Sequence, residues 1–265
     1  MSFIKVNGIN IFYEQQGKGP DLILIAGVTA DHMVWRNIID QLAQSFKVTV
    51  FDNRGAGQSD APDEKFTIDT MADDVVALMD GLKINKAIVL GHSMGGFILQ
   101  SVLARYPEKF TKAIILCSRI LSSSAYSLHA QVNAELTNRG VAKEIIAKNM
   151  ATFIFGENYL QAKENITNYI KQVLANPYPQ TLVGFNRQVE AIASFDKMAL
   201  LPKIKTPLCA IYGGTDLVAS PKNIDFLKSK ISNLQAHILE GCGHMPQFEV
   251  PALLVKLIEK YGLAT

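Results

Sequence analysis

Apolar and polar positions along the chain follow a repeating order of strands and helices. Short runs rich in apolar and β-branched residues predict strands, and the continuous runs are typical of strands buried on both faces of a sheet. These runs lie at residues 21–26, 47–52, 86–90, 112–117, 207–212 and 235–239. An earlier segment, residues 3–16, predicts two short strands joined by a tight turn at Asn7 and Gly8.

Helical patterns separate most of these strands. Apolar residues recur at the spacing of one helix face, and the segments concerned are residues 33–45, 67–82, 96–106, 221–231 and 247–261. Strands that alternate with helices indicate an α/β fold in which a mostly parallel sheet is covered by helices on both faces. The sequence contains no internal repeat and no low-complexity segment.

Residues 119–205 interrupt this alternation. They show four helical patterns, at residues 127–139, 142–155, 158–175 and 179–192, and no convincing strand. We interpret this block as a helical cap inserted over the carboxyl edge of the sheet. The predicted organisation is therefore a core built from residues 1–118 and 206–265, with the cap at residues 119–205.

Composition and charge exclude several classes of protein. With 48% hydrophobic and 19% charged residues, the 265-residue chain resembles an ordinary soluble globular enzyme. The formal net charge of +2, with both signs interspersed, gives no reason to expect nucleic acid or an anionic membrane as a partner. No apolar run approaches the roughly 18 residues that a membrane-spanning helix needs.

The cysteines indicate a reducing compartment. Cys117, Cys209 and Cys242 show neither zinc-ligand spacing nor the even number typical of a disulfide framework. The first residues lack the basic segment and the apolar segment of a secretion signal. We therefore expect a cytoplasmic protein, and we expect no metal.

The strand at residues 86–90 leads into the sequence GHSMGG at residues 91–96, which begins the next helix. This is the G-x-S-x-G pattern in a strand-to-helix turn, the context of a nucleophile elbow. Such a turn is sharp and strained, and it exposes the serine hydroxyl above the sheet edge. The pattern therefore predicts Ser93 as a nucleophile.

Two later loops contain the groups that would activate a serine. A serine hydroxyl needs a base to take its proton, and the base needs a third group to orient it. Asp216 follows the strand at residues 207–212, and His244 follows the strand at residues 235–239. Ser93, Asp216 and His244 thus occur in the chain order of α/β hydrolases. Asp196 and Asp225 are alternatives for the acidic member.

Four motifs together resemble those of the α/β-hydrolase family and cover nearly the whole chain. They are DNRGAGQS at residues 52–59, GHSMGG at 91–96, GGTD at 213–216 and GCGHMP at 241–246. Within that family, the sequence is most similar to enzymes of the 3-oxoadipate enol-lactonase type and to small carboxylesterases. The resemblance implies an α/β-hydrolase fold. It also implies that Ser93 is the nucleophile, His244 the general base and acid, and Asp216 the residue that orients His244.

An oxyanion hole requires two backbone amides that point at the developing negative charge. The resemblance implies that Met94, after the nucleophile, donates one amide and that Val28, in the loop after the third strand, donates the other. Gly27 allows that loop to turn inward, towards the substrate. Most relatives have His-Gly in this loop, whereas this chain has Ala26 before Gly27.

Other side chains are candidates for substrate contact, each with an alternative. His32 follows the oxyanion loop and either contacts substrate or lies at the surface. Phe153, in the cap, either lines an acyl pocket or packs in the cap's own core. His92 is expected to point away from Ser93 and to pack under the sheet. Three cap arginines either bind a substrate carboxylate or carry solvated charge: Arg119, Arg139 and Arg187.

These features predict a cofactor-free serine hydrolase that acts on a small-molecule carboxylic ester or lactone, as a monomer or homodimer. A perhydrolase or haloperoxidase and a carbon–carbon bond hydrolase would use the same triad. A small-molecule receptor that retains the triad with little turnover is an alternative from another class.

Overall fold

The computed structural model describes residues 2–120, 124–196, 198–231 and 234–264. Its strands are β1 (Ser2–Val6), β2 (Ile9–Gln16), β3 (Asp21–Ile25), β4 (Lys47–Phe51), β5 (Ala87–His92), β6 (Phe110–Leu116), β7 (Leu208–Gly213) and β8 (Leu234–Leu239). They form one sheet in the order β1-β2-β4-β3-β5-β6-β7-β8. The pairs β1–β2 and β2–β4 are antiparallel, and the remaining neighbours are parallel.

The helices of the core are α1 (Ile39–Leu42), α2 (Ile68–Gly81), α3 (Met94–Arg105), α9 (Asn223–Lys230), α10 (Pro246–Glu249) and α11 (Pro251–Gly262). Between β6 and β7 lie α4 (Ser124–Asn138), α5 (Lys143–Ile154), α6 (Glu157–Leu160), α7 (Lys163–Ala175) and α8 (Leu182–Ser194). Short 3-10 turns span His32–Trp35, Pro107–Lys109 and Leu201–Lys203. The division into a core of residues 1–118 and 206–265 and a cap of residues 119–205 stays a prediction.

Strand β5 shows why the central strands are continuously apolar. Ala87 and Val89 join an apolar cluster on one face of the sheet, and Ile88 and Leu90 join a second cluster on the other face. Helices α2 and α3 contribute to the first cluster, and α11 contributes to the second. Because each face is covered by helices, side chains of both parities are buried. The α/β class predicted from the sequence is confirmed.

Two predicted helices are broken in the structure. The segment at residues 33–45 forms a 3-10 turn and the single helical turn α1, because Ile38 between them has a non-helical backbone with φ −126°. The segment at residues 158–175 divides into α6 and α7 at Ala162, which is extended. Thr67 caps α2 in a full capping box with Thr70, although threonine replaces the Glu or Gln that usually marks this motif.

The loop at residues 52–59 forms hydrogen bonds and an ion pair with neighbouring elements. Arg54 pairs with Asp74 on α2, with nitrogen–oxygen distances of 2.5 and 2.6 Å. Asp60 accepts a hydrogen bond from the backbone amide of Asn10 at 2.8 Å. Cap helix α8 also contacts the loop, since Gln188 donates to the Arg54 carbonyl at 2.8 Å.

None of the helices in the described part of the chain combines the length and the apolar character that crossing a membrane requires.

Candidate active site

Ser93 occupies the turn between β5 and α3 with φ 54° and ψ −117°. A positive φ is strained for a serine, and such strain concentrates at functional sites. The flanking glycines leave no room for side chains. A Cβ at Gly91 would lie 2.3 Å from the Gly95 carbonyl oxygen, and one at Gly95 would lie 2.2 Å from the Ile25 carbonyl oxygen. The GHSMGG sequence therefore forms the sharp strand-to-helix turn that the motif predicts.

Asp216 and His244 form a buried hydrogen-bonded pair. The His244 Nδ1 atom lies 2.9 Å from Asp216 Oδ2, and the two residues are only 5% and 4% exposed. The other carboxylate oxygen accepts from the backbone amides of Val218 and Ala219, at 2.7 and 2.8 Å. Because a carboxylate only accepts, Nδ1 donates, and the neutral ring then has its acceptor at Nε2. This arrangement suits a histidine that takes a proton through Nε2.

The alternative carboxylates lie elsewhere. Asp196 is exposed and accepts from the backbone amides of Met198 and Ala199. Asp225 is exposed and lies in the first turn of α9. The structure thus brings Asp216, rather than either alternative, against His244.

His92, the residue before Ser93, contacts the His244 loop through a side-chain hydrogen bond. Its Nε2 donates to the His244 carbonyl oxygen at 2.9 Å, and the two rings lie 4.9 Å apart. Trp35 packs against the His92 ring in an edge-to-face arrangement, with ring centroids 6.2 Å apart. Burial, together with charge on His244, lowers the pKa of His92 to about 3. His92 therefore stays neutral at ordinary pH, and sequence reasoning missed its contact with His244.

The predicted oxyanion loop approaches the elbow closely. A Cβ at Gly27 would lie 3.0 Å from the Ser93 Cβ, so glycine allows this contact. The side chain of Asn53 donates to the Ala26 carbonyl oxygen at 3.1 Å. This bond supports the loop at Ala26, directly before Gly27.

A small cavity of about 20 Å³ lies beside Ser93. Its lining residues are Val28, Ser93, Met94, Phe97, Arg119, Ile192 and Val218. The two predicted oxyanion residues thus share a cavity with the predicted nucleophile. Sequence reasoning missed Phe97, Ile192 and Val218. The positions of Phe97, one helical turn after the nucleophile, and of Val218, two residues after Asp216, were the available signals.

His32 lies against Asp52 rather than in the lining of this cavity. The Asp52 Oδ1 atom accepts from the His32 amide at 2.6 Å and pairs with Nδ1 at 2.8 Å. Burial alone would lower the pKa of His32, but the hydrogen bond and charge of Asp52 raise it overall. Substrate contact by His32 stays a prediction.

Phe153 stacks on His129 of α4, with ring centroids 4.2 Å apart and planes inclined by 11°. It packs against an apolar cluster that includes Val218, next to the loop of Asp216. The cavity lining does not include Phe153, and its contact with substrate also stays a prediction.

The three cap arginines have different surroundings. Arg119 lines the cavity beside Ser93. Arg139 forms an exposed ion pair with Glu135. Arg187 pairs with Asp63 at 2.8 Å, across the contact between cap and core.

Among the residues that the structure describes, two groups of side chains bring potential metal ligands within 4.8 Å of one another. They are Cys117 with Asp216 and His244, and Asp31 with His32 and Asp52. Burial raises the pKa of the Cys117 thiol well above its ordinary value, which disfavours the thiolate that metals bind. In both groups the histidine Nδ1 atom already pairs with a carboxylate. Hydrogen bonds within the protein thus account for both groups.

Comparison with known proteins places these features in context. A family model described as "alpha/beta hydrolase fold" matches residues 20–251. The 3-oxoadipate enol-lactonase 2 of Acinetobacter baylyi is 28% identical, over 92% of this chain and 89% of that protein. A putative non-heme bromoperoxidase, BpoC of Mycobacterium tuberculosis, is 27% identical over 92% of this chain and 94% of that protein. The structure of the enol-lactonase from Burkholderia xenovorans LB400 superimposes with a TM-score of 0.86 and 25% identity, covering 99% of this chain and 100% of that one.

Proposed function

The chain belongs to the α/β-hydrolase family, and from this premise we propose that it is a serine hydrolase that cleaves carboxylic esters or lactones. One observation carries the proposal: a buried Asp216–His244 pair is hydrogen-bonded to His92, the residue next to a strained Ser93. The named lactonase among its relatives supports an ester or lactone as the substrate.

In the proposed mechanism, Ser93 Oγ attacks the substrate carbonyl while His244 Nε2 takes the hydroxyl proton. The Nδ1–H···Asp216 bond holds the ring and stabilises the imidazolium that forms. The backbone amides of Val28 and Met94 bind the negative oxygen of the tetrahedral intermediate. His244 then gives its proton to the leaving oxygen, and the acyl group stays on Ser93.

Water completes the cycle. His244 takes a proton from the water that attacks the acyl-enzyme, and returns it to Ser93 Oγ as the acid departs. No step requires a cofactor. A cavity of about 20 Å³ has room for roughly one water molecule, so we further propose that short acyl groups are preferred.

Hydrolysis of p-nitrophenyl acetate tests the proposal. We expect Ser93→Ala to lose at least about 10³-fold in kcat, because the acyl-enzyme has no place to form. Ser229→Ala, an exposed serine on α9, is the matched control and should equal the parent. Equal rates for Ser93→Ala and the parent protein would overturn the proposal.

A second candidate, perhydrolysis, is favoured by the relative named as a bromoperoxidase. Hydrogen peroxide would replace water in attacking the same acyl-enzyme, and a peracid would leave. Peracetic acid production from acetate and hydrogen peroxide, at a rate exceeding ester hydrolysis, would favour this candidate.

A further inference from the structure

Glu249, at the end of α10, binds three backbone amides with one carboxylate. Its Oε1 accepts from Gly243 and Met245, each at 3.1 Å, and these two residues flank His244. Its Oε2 accepts from Gly243 and from Gly156, each at 2.9 Å. Gly156 belongs to residues 154–156, which join α5 to α6 and which we call the strap. Hydrogen bonds to a carboxylate are about twice as strong as neutral ones, so this carboxylate fastens the strap to the histidine loop.

The strap also contacts the histidine loop directly. The backbone amide of His244 donates to the Ile154 carbonyl oxygen at 2.7 Å. A Cβ at Gly156 would lie 2.4 Å from the Gly241 carbonyl oxygen, and one at Gly243 would lie 2.5 Å from the Gly156 nitrogen. The two backbones are therefore in contact, and neither glycine can gain a side chain without separating them.

Apolar contacts also hold the strap. Phe155 is 3% exposed, and its ring lies 6.2 Å from that of Phe248 on α10. The same cluster includes Val218, two residues beyond Asp216. The strap thus contacts the loop that carries His244 and shares an apolar cluster with the loop that carries Asp216.

We propose that Glu249 is a positioning residue that couples the strap to the His244 loop, so that the two segments move together. His244 then occupies its catalytic position only while the strap keeps its contacts with the His244 loop. A movement of residues 154–156 therefore moves His244, the proposed general base. This inference rests on the proposed role of His244 as general base. A displacement of the strap would then also displace the proposed general base.

Glu249→Gln tests the carboxylate. The glutamine side chain has only one oxygen acceptor, so it can keep the hydrogen bonds of Oε1 or those of Oε2, but not both. Its NH₂ group then faces a backbone N–H that has lost its acceptor. A misplacement of about 1 Å costs up to about 100-fold in rate, and we expect kcat to fall between about 10- and 100-fold with KM changed less than threefold. Glu240→Gln, an exposed residue in the same loop, is the matched control and should keep the parental kcat.

Gly156→Ala tests the strap without touching the carboxylate. The added Cβ must push the strap away from the loop, and we expect the same fall in kcat. Gly140→Ala is the control for strain alone: its φ of +70° disfavours a side chain, but the added Cβ would meet open space and displace no neighbour. If the strap and the His244 loop move together, the second substitution should add little to the first. The kcat of the double variant Gly156→Ala/Glu249→Gln should then be at least about half that of the slower single variant. Losses that multiply, or a Glu249→Gln kcat within twofold of the parent, would overturn the coupling.

A readout independent of turnover separates this inference from the proposed function. The backbone amide resonance of His244 should shift in Gly156→Ala and in Glu249→Gln, and should stay in place in both controls. If the parent protein shows no Ser93-dependent hydrolysis, the proposed function fails, while a shifted resonance still supports the coupling. If Glu249→Gln does not fold, Gly156→Ala decides, and an unmoved resonance there overturns the inference.

Discussion

Replacing His92 by glutamine should remove a specific acid sensitivity of the fold. The ring is fully enclosed between Trp35 and His244, and its Nε2–H donates to a carbonyl. Burial lowers the pKa of His92 to about 3, against 6.5 for a histidine in the unfolded chain. Between these two values the unfolded chain binds a proton that the folded protein excludes. The free energy of unfolding is therefore not reduced by His92 above pH 6.5, and it falls as the pH decreases from 6.5 towards 3.

The size of the effect follows from the two pKa values. Each pH unit inside the window costs about 1.4 kcal/mol for one histidine. Between pH 8 and pH 5, His92 alone should lower the free energy of unfolding by roughly 2 kcal/mol. His32 acts in the opposite direction, because its raised pKa stabilises the fold at acid pH and that contribution is lost as the pH rises. Comparing variants that all retain His32 cancels its contribution.

Urea unfolding at pH 8 and pH 5 measures this difference. The single tryptophan, Trp35, is fully buried and reports on the core by its fluorescence. His92→Gln should lose roughly 2 kcal/mol less than the parent between the two pH values, and the control His237→Gln should behave as the parent does. If the parent and His92→Gln lose the same stability within about 0.5 kcal/mol, the argument from burial is wrong.

Two further substitutions probe the triad and the loop at residues 52–59. Asp216→Asn should lower kcat about 10³- to 10⁴-fold with a smaller change in KM, because an amide favours the wrong tautomer of His244. Steady-state kinetics measures this effect, and a loss of kcat below tenfold would contradict the role of Asp216. Asp74→Ala should lower the free energy of unfolding by about 3–5 kcal/mol, because it leaves the buried guanidinium of Arg54 unpaired. Urea unfolding of Asp74→Ala and of the double variant Arg54→Met/Asp74→Ala measures this, and a double variant as unstable as the single one would count against the explanation.

The elements that sequence could predict are those whose signals are local. The elbow needs glycines within two residues of Ser93, and continuous apolar strands need only their own composition. Asp216 and His244 could be recognised because each directly follows a strand, and the carboxyl ends of parallel strands meet at one edge of the sheet. Local patterns failed at residues 33–45, where the apolar spacing fits a helix although the backbone at Ile38 breaks it.

The supports of the proposed base depend on contacts between distant parts of the chain. His92 meets the His244 carbonyl across 152 positions, and Glu249 meets Gly156 across 93. Glu249, three residues after Pro246, has no periodicity or motif that indicates three backbone amide partners. The lining of the cavity is similar, since Ile192 reaches it from α8 while Phe97 belongs to the elbow helix. Helical patterns predicted both helices but not the faces that meet.

Trapping the acyl-enzyme tests the central claim most directly. The protein is mixed with p-nitrophenyl acetate, quenched in acid during the first turnovers, digested, and examined by peptide mass spectrometry. We expect one acetyl group on the peptide that contains Ser93, and none on the same peptide of Ser93→Ala. Rapid turnover with no acetylated Ser93, or acetylation at another residue that tracks the turnover rate, would contradict the assignment of Ser93 as the nucleophile.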